Sequence, residues 1–150
     1  MFTQTKLKTL SLMILVIGFQ TTTFANTIGE IYVSTYKCIA VDNEGNKRIN
    51  FIMGNTIKLD NSGQPLKDQP LTIEKPEGKL SVELRLWGEG KRITIGGKFT
   101  PSDTNVVSQG HFSSDTSVVT ISFFGECENV RDVGNYFMAI RYSPETSENN

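Results

Sequence analysis

Between Lys79 and Trp87 the chain reads Lys-Leu-Ser-Val-Glu-Leu-Arg-Leu-Trp. Leu80, Val82, Leu84 and Leu86 alternate without a break with Lys79, Ser81, Glu83 and Arg85. A strand turns successive side chains to opposite faces, so a period of two predicts a half-buried β-strand. The pattern recurs in Ile49, Phe51 and Met53, in Ile57 and Leu59, in Ile93 and Ile95, and in Val119, Ile121 and Phe123. These apolar sets are the expected core. Helical periodicity is hard to find beyond the N-terminal stretch.

Turn chemistry separates the runs. It includes Asp42-Asn43-Glu44-Gly45-Asn46, Gly54-Asn55, Asn61-Ser62-Gly63, Pro76-Glu77-Gly78, Gly88-Glu89-Gly90, Pro101-Ser102-Asp103 and Ser113-Ser114-Asp115. Gly and Asn tolerate positive φ at such places, and Pro presets φ. Breaks about 8 to 12 residues apart point to an all-β fold, a single antiparallel β-barrel or β-sandwich. Eight or nine strands are expected, near 31–41, 47–53, 56–60, 71–75, 79–87, 91–99, 105–112, 117–124 and 135–142. Residues 64–70 read as a loop. An outer-membrane barrel is disfavoured, because the outward register Lys79, Ser81, Glu83, Arg85 is polar where lipid would require apolar side chains.

The N-terminus carries Lys6 and Lys8, an apolar run from Leu10 to Phe19, and Thr23-Phe24-Ala25. This is the layout of a secretory signal peptide over residues 1–25. The apolar run is shorter than the roughly 20 residues of a spanning helix. An exported product is expected, in the periplasm or outside the cell, with no integral membrane segment after cleavage. The expected domain is 26–142, followed by a disordered polar tail at 143–150. Lys6 and Lys8 leave with the signal and no acid does, so the fifteen basic residues fall to 13 against 16 acidic ones, a net charge of −3. A mildly acidic domain lacks the concentrated basic face that nucleic acid requires.

Two cysteines, Cys38 and Cys127, both lie in the exported part. An even count in an oxidising compartment reads as a disulfide. A nucleophilic thiol would need a nearby cation or imidazolium to lower its pKa, but Glu126 and Glu128 flank Cys127 and His111 is the only histidine. No cluster has zinc-ligand spacing, and the Asp-Asn-Gly stretches place Gly too early for a calcium loop. No metal and no cofactor are expected. Nucleophile-elbow and His-Glu-x-x-His signatures are absent, and the near-consecutive His111, Ser113, Ser114 and Asp115 are not expected to form a triad along one strand, where side chains alternate in direction. Catalytic residues are therefore not assigned.

The aromatics carry the remaining signal. Trp87 continues the polar register of Glu83 and Arg85, beside the Gly88-Glu89-Gly90 turn. Ile52 and Phe124 also fall on the outward register, and of the adjacent Tyr136 and Phe137 one must leave the core side. An outward aromatic cluster is a binding-surface signature. Trp87, Arg85, Glu89 and Phe124 are the candidate contact residues, and a rim tryptophan can stack on a sugar.

Tyr36-Lys37-Cys38 in the first strand, one late cysteine and the eight-strand layout resemble small periplasmic lysozyme inhibitors, which are β-barrels with an early Tyr-x-Cys. The inhibitory Ser-Gly-x-x-Tyr loop of that family is missing, since Asn61-Ser62-Gly63-Gln64-Pro65 lacks the tyrosine. No inhibitory residue carries over. The expected function is a non-catalytic exported binding module with a protein or glycan partner. The alternatives are a self-associating structural component of the envelope or surface layer, and a small hydrolase or hydrolase inhibitor. Oligomeric state is open at this level.

Overall fold

The computed structural model describes residues 27–128 and 130–145. The expected signal peptide and residues 146–150 of the expected tail lie outside these. Eight strands form: β1 (Thr27–Ala40), β2 (Lys47–Asp60), β3 (Thr72–Lys75), β4 (Gly78–Trp87), β5 (Arg92–Pro101), β6 (Ser108–Asp115), β7 (Thr120–Phe124) and β8 (Tyr136–Pro144). A short 3-10 turn, Val130–Asp132, precedes β8.

The strands make two antiparallel four-stranded sheets, ordered β2-β1-β8-β7 and β3-β4-β5-β6, packed as a sandwich. Followed around the molecule, the strands keep chain order, so the fold is a meander opened at two seams, β2/β3 and β6/β7. The terminal strands β1 and β8 pair side by side. Cys38 and Cys127 are bridged, with 89 positions between them, which pins β1 to the segment after β7. Ile31, Val33, Ile57, Met138, Ile140 and Tyr142 of the first sheet face Leu80, Val82, Ile93, Ile95 and Phe99 of the second, all fully or nearly fully buried. Gly97 lets the layers approach, because a Cβ there would run into Met138.

Side chains rather than backbone ladders seal the seams. Asn55 Nδ2 donates to the Pro70 carbonyl at 2.7 Å across β2/β3. Across β6/β7 the hydroxyls of Ser114 and Thr120 bond each other, and the Phe124 ring lies against Gly110. At one end Lys37 Nζ meets Asp103 at 2.7 Å, and the Tyr136 hydroxyl donates to the same carboxylate at 3.1 Å. These contacts tie the β5–β6 loop to the first sheet. The Asp103 carboxyl is held below the usual carboxylate range, mainly by the Lys37 hydrogen bond.

Several expectations are corrected. Gly54-Asn55 is not a turn, because Gly54 pairs with Ser34 inside one long β2 and its bare backbone accommodates the Tyr32 ring. The expected ranges 47–53 and 56–60 are therefore one strand, and the total of eight is within the expected eight or nine. Ile49 and Phe51 are not core, because the β1/β2 register shifts at Thr35/Tyr36, leaving Ile52 as an extra residue that inverts the alternation beyond Met53. Met53 is buried, whereas Ile49 and Phe51 are exposed and Ile52 packs on the core. In β7 the order is also inverted: Ile121 and Phe123 face solvent and Phe124 packs on the core. β8 continues through Ser143 and Pro144, which pair with Glu30 and Gly29, beyond the expected boundary at 142.

Candidate functional site

The second sheet's outward face is built in four cross-strand rows. They are Trp87–Arg92–Asp115, Arg85–Thr94–Ser113, Glu83–Gly96–His111 and Ser81–Lys98–Gln109. Gly96 is the only one of these residues without a side chain, so the surface sinks at the centre of the sheet. The result is a groove of about 940 Å³, with Glu83, Arg85, Lys98, Gln109 and His111 around its floor and Phe124 at the β6 side. Ligand sites commonly fall in the range of about 300–1,000 Å³. Rows on one face lie two residues apart, so four of them span roughly 20 Å.

Trp87 stands at one end and is 43% exposed. Its Nε1 donates to Thr94 Oγ1 at 3.0 Å, and Thr94 Oγ1 in turn shares a 2.8 Å bond with Ser113 Oγ. The Arg92 guanidinium lies 5.8 Å from the indole ring centroid. These contacts tether the indole across β4 and β5 at the end of the groove. The hairpin below it is a tight type I′ turn. Lys91 N–H donates to the Gly88 carbonyl at 3.2 Å, and the central residues Glu89 and Gly90 have φ of 56° and 82°.

Of the sequence candidates, Arg85 and Phe124 line the groove and Trp87 borders it through Thr94. Glu89 is not brought in, since it occupies the exposed tip of the turn. Phe124 is not the outward aromatic that alternation implied. It is half-buried at the β6/β7 seam and reaches the groove past Gly110. Sequence reasoning did not select Glu83, Lys98, Gln109 or His111 for binding. Their common signal is position, since all are polar residues on the outward register of neighbouring strands around one glycine.

Among the described residues, the side chains of Glu83, Arg85, Lys98, Gln109 and His111 hold no hydrogen bond or ion pair. The groove therefore offers free donors and acceptors of both signs. Among the described residues Glu83 is the one carboxylate in the groove lining, and Asp115, in the Trp87 row of the same face, accepts from the Ser117 N–H and hydroxyl. The nearest hydroxyl in the outward register of β6, Ser113, is bonded to Thr94 and not to His111. Among the described residues there is no group of three His, Cys, Asp or Glu able to hold a metal, and no helix is long and apolar enough to cross a membrane.

Comparison with known proteins finds no matching family model, no matching curated protein and no matching solved structure.

Proposed function

We propose that this chain is an exported, non-catalytic binding module whose groove on the second sheet takes an extended sugar chain. The observation that carries the reading is the tethered Trp87 at the end of a glycine-floored groove. A sugar ring has apolar C–H faces and a polar hydroxyl rim. An aromatic surface held in one orientation loses little entropy on stacking, and a few such anchors dominate binding energy. The free side chains of Glu83, Arg85, Lys98, Gln109 and His111 supply hydroxyl partners along the roughly 20 Å path.

Binding is favoured over hydrolysis by the acid count. Glycoside cleavage canonically uses two carboxyl groups flanking the bond, and among the described residues Glu83 is the acid that lines the groove, while Asp115 at the Trp87 end is engaged by Ser117. His111 has no carboxylate or hydroxyl partner to form a nucleophile–base pair. The Cys38–Cys127 bridge supports an oxidising compartment, in line with the export signal expected from residues 1–25.

The sequence has one tryptophan, so its fluorescence reports directly on the site. Titration with soluble cell-wall glycan fragments is expected to shift Trp87 emission in a saturable way, and Lys98→Ala with Gln109→Ala is expected to weaken binding about 10-fold or more. Emission that does not respond to glycans of any length, combined with saturable binding of unstructured peptides, would replace the sugar reading with a peptide one.

A further inference from the structure

The first sheet presents a different outward face. Phe51, Tyr36 and Phe137 form one row across β2, β1 and β8, with ring centroids 5.8 and 5.2 Å apart, in which Phe137 is already buried and backs the Tyr36 ring. Phe123 continues the apolar surface beside Ala139 on the next row. Phe51 is 56% exposed, Phe123 68% and Ile121 52%, and Ile49 and Val119 are similarly open. Arg141 of β8 lies within the face, between Ile121 and Tyr32, with its guanidinium 3.9 Å from Glu30 and over the Tyr32 ring. The face is therefore aromatic and aliphatic, with a charged group at its Ile121 end.

We infer that this face pairs with the same face of a second copy, so that the protein is a two-fold dimer with its grooves on opposite outer sides. The area fits. Side chains of this size cover about 150–250 Å² each, so the open fractions amount to roughly 500 Å² of apolar surface. A stable interface buries about 800 Å² per partner, and homodimer interfaces are about 65% apolar, which is again roughly 500 Å². The charge also fits. Glu30 stands on the outward register between Lys58 and Arg141, so the face carries both signs together and can offer its acid to the cations of its own copy. Sheets stack about 10 Å apart through interdigitating side chains, and the pre-packed Phe51–Tyr36–Phe137 row is suited to that contact. The pairing does not depend on what the groove binds.

Sedimentation equilibrium on the exported, non-reduced protein tests the pairing over the micromolar range. The wild type is expected to be dimeric. Phe51→Glu with Phe123→Glu is expected to raise the dimer dissociation constant by about 100-fold or more, because these exposed rings on the two edge strands, β2 and β7, bracket the strip and each would place a charge in the contact. Both side chains are exposed in the single copy, so far-UV circular dichroism and Trp87 emission should stay as in the wild type. Ile121→Lys repeats the test with a single change and is expected to weaken the dimer as well. Thr100→Glu, exposed on the second sheet, should leave it intact. A wild type that is monomeric throughout, a dimer insensitive to the strip substitutions, or a monomer that instead co-sediments with phosphatidylethanolamine–phosphatidylglycerol vesicles would overturn the inference.

Discussion

The contact between Phe124 and Gly110 offers a sharp test of how the sandwich closes. β6 and β7 share no backbone ladder, and the Phe124 ring crosses the seam to lie on Gly110. A Cβ at position 110 would fall inside the van der Waals envelope of that ring. Gly110 is not in the left-handed region, so alanine suits its backbone and the conflict is with the ring alone. Phe124 packs on the core cluster, which leaves the ring no free space to move inward. Gly110→Ala therefore displaces a half-buried phenylalanine. Full burial of such a side chain is worth about 1.5–3 kcal/mol, so the expected cost is about 2 kcal/mol. Phe124→Ala alone should cost about 2–3 kcal/mol, at or just below the low end for buried phenylalanines because the ring is partly exposed.

The two changes are strongly non-additive if this geometry holds. With the ring removed, Gly110→Ala meets no obstacle and reduces the freedom of the unfolded chain, a gain of about 0.5 kcal/mol. The same substitution thus changes sign between backgrounds, with a coupling of about 2.5 kcal/mol. Urea denaturation followed by Trp87 emission and circular dichroism measures all four corners of the cycle, with slopes that should agree. A Gly110→Ala cost that is equal in both backgrounds would refute the seam contact and remove Phe124 from the groove wall.

Replacing Cys38 and Cys127 with serine should lower stability by about 4 kcal/mol in non-reducing urea titrations, since the bridge closes 89 positions. Wild type with added reductant should match the variant, and a loss below about 1 kcal/mol would argue that the unfolded chain gains little freedom. Glu89→Asn should raise the melting temperature by about 2–4 °C, because asparagine tolerates the φ of 56° at that turn better than glutamate. An unchanged or lower midpoint would contradict the strain assigned to that residue. Asp103 is depressed mainly by its bond from Lys37, so its contribution is present above the ordinary carboxylate range and is lost as pH falls through its lowered value. Asp103→Asn should therefore flatten the acid limb of the stability–pH curve, and an unchanged limb would show that the pair does not persist in solution.

The parts of the fold that were legible in the sequence are those set by local chemistry. β4 has an unbroken alternation and lies where its apolar register put it, with Leu80 and Val82 buried and Trp87 outward. The cysteine pair was readable from parity and from the expectation of an oxidising compartment. What escaped was set by contacts between distant strands. The extra residue at Ile52 inverts the faces of β2, and nothing local marks it, because Ile49, Phe51 and Met53 alternate as if in one register. β7 misleads more deeply. Its inward side chains Thr120 and Ser122 are polar and tolerated, Thr120 because it bonds Ser114, while Ile121 and Phe123 face out. Alternation identifies two faces and assumes that the apolar one is inside. The groove was hidden for a related reason, since its residues come from three paired strands, β4, β5 and β6, whose register follows from pairing, and from Phe124 of β7 across the seam.

Gly96 separates the demands of folding from those of the groove. It lies in the middle of β5, on the outward face, at a position where glycine weakens a strand. A Cβ there would meet only His111 Cβ at 3.7 Å and the Gly110 carbonyl at 3.8 Å, which is ordinary contact. Nothing in the packing requires glycine, in contrast to Gly97 one residue later, where a Cβ collides with buried Met138. A β-branched residue at 96 should stabilise the strand, by about 0.5–1 kcal/mol for Gly96→Thr. The same side chain would fill the floor between Glu83 and His111. The expected result is a more stable protein with a Trp87 response to glycan at least 10-fold weaker, the trade expected of a position kept for a ligand. If Gly96→Thr destabilises the fold, the glycine serves packing after all. If it stabilises the fold and leaves glycan binding intact, the ligand does not use this groove.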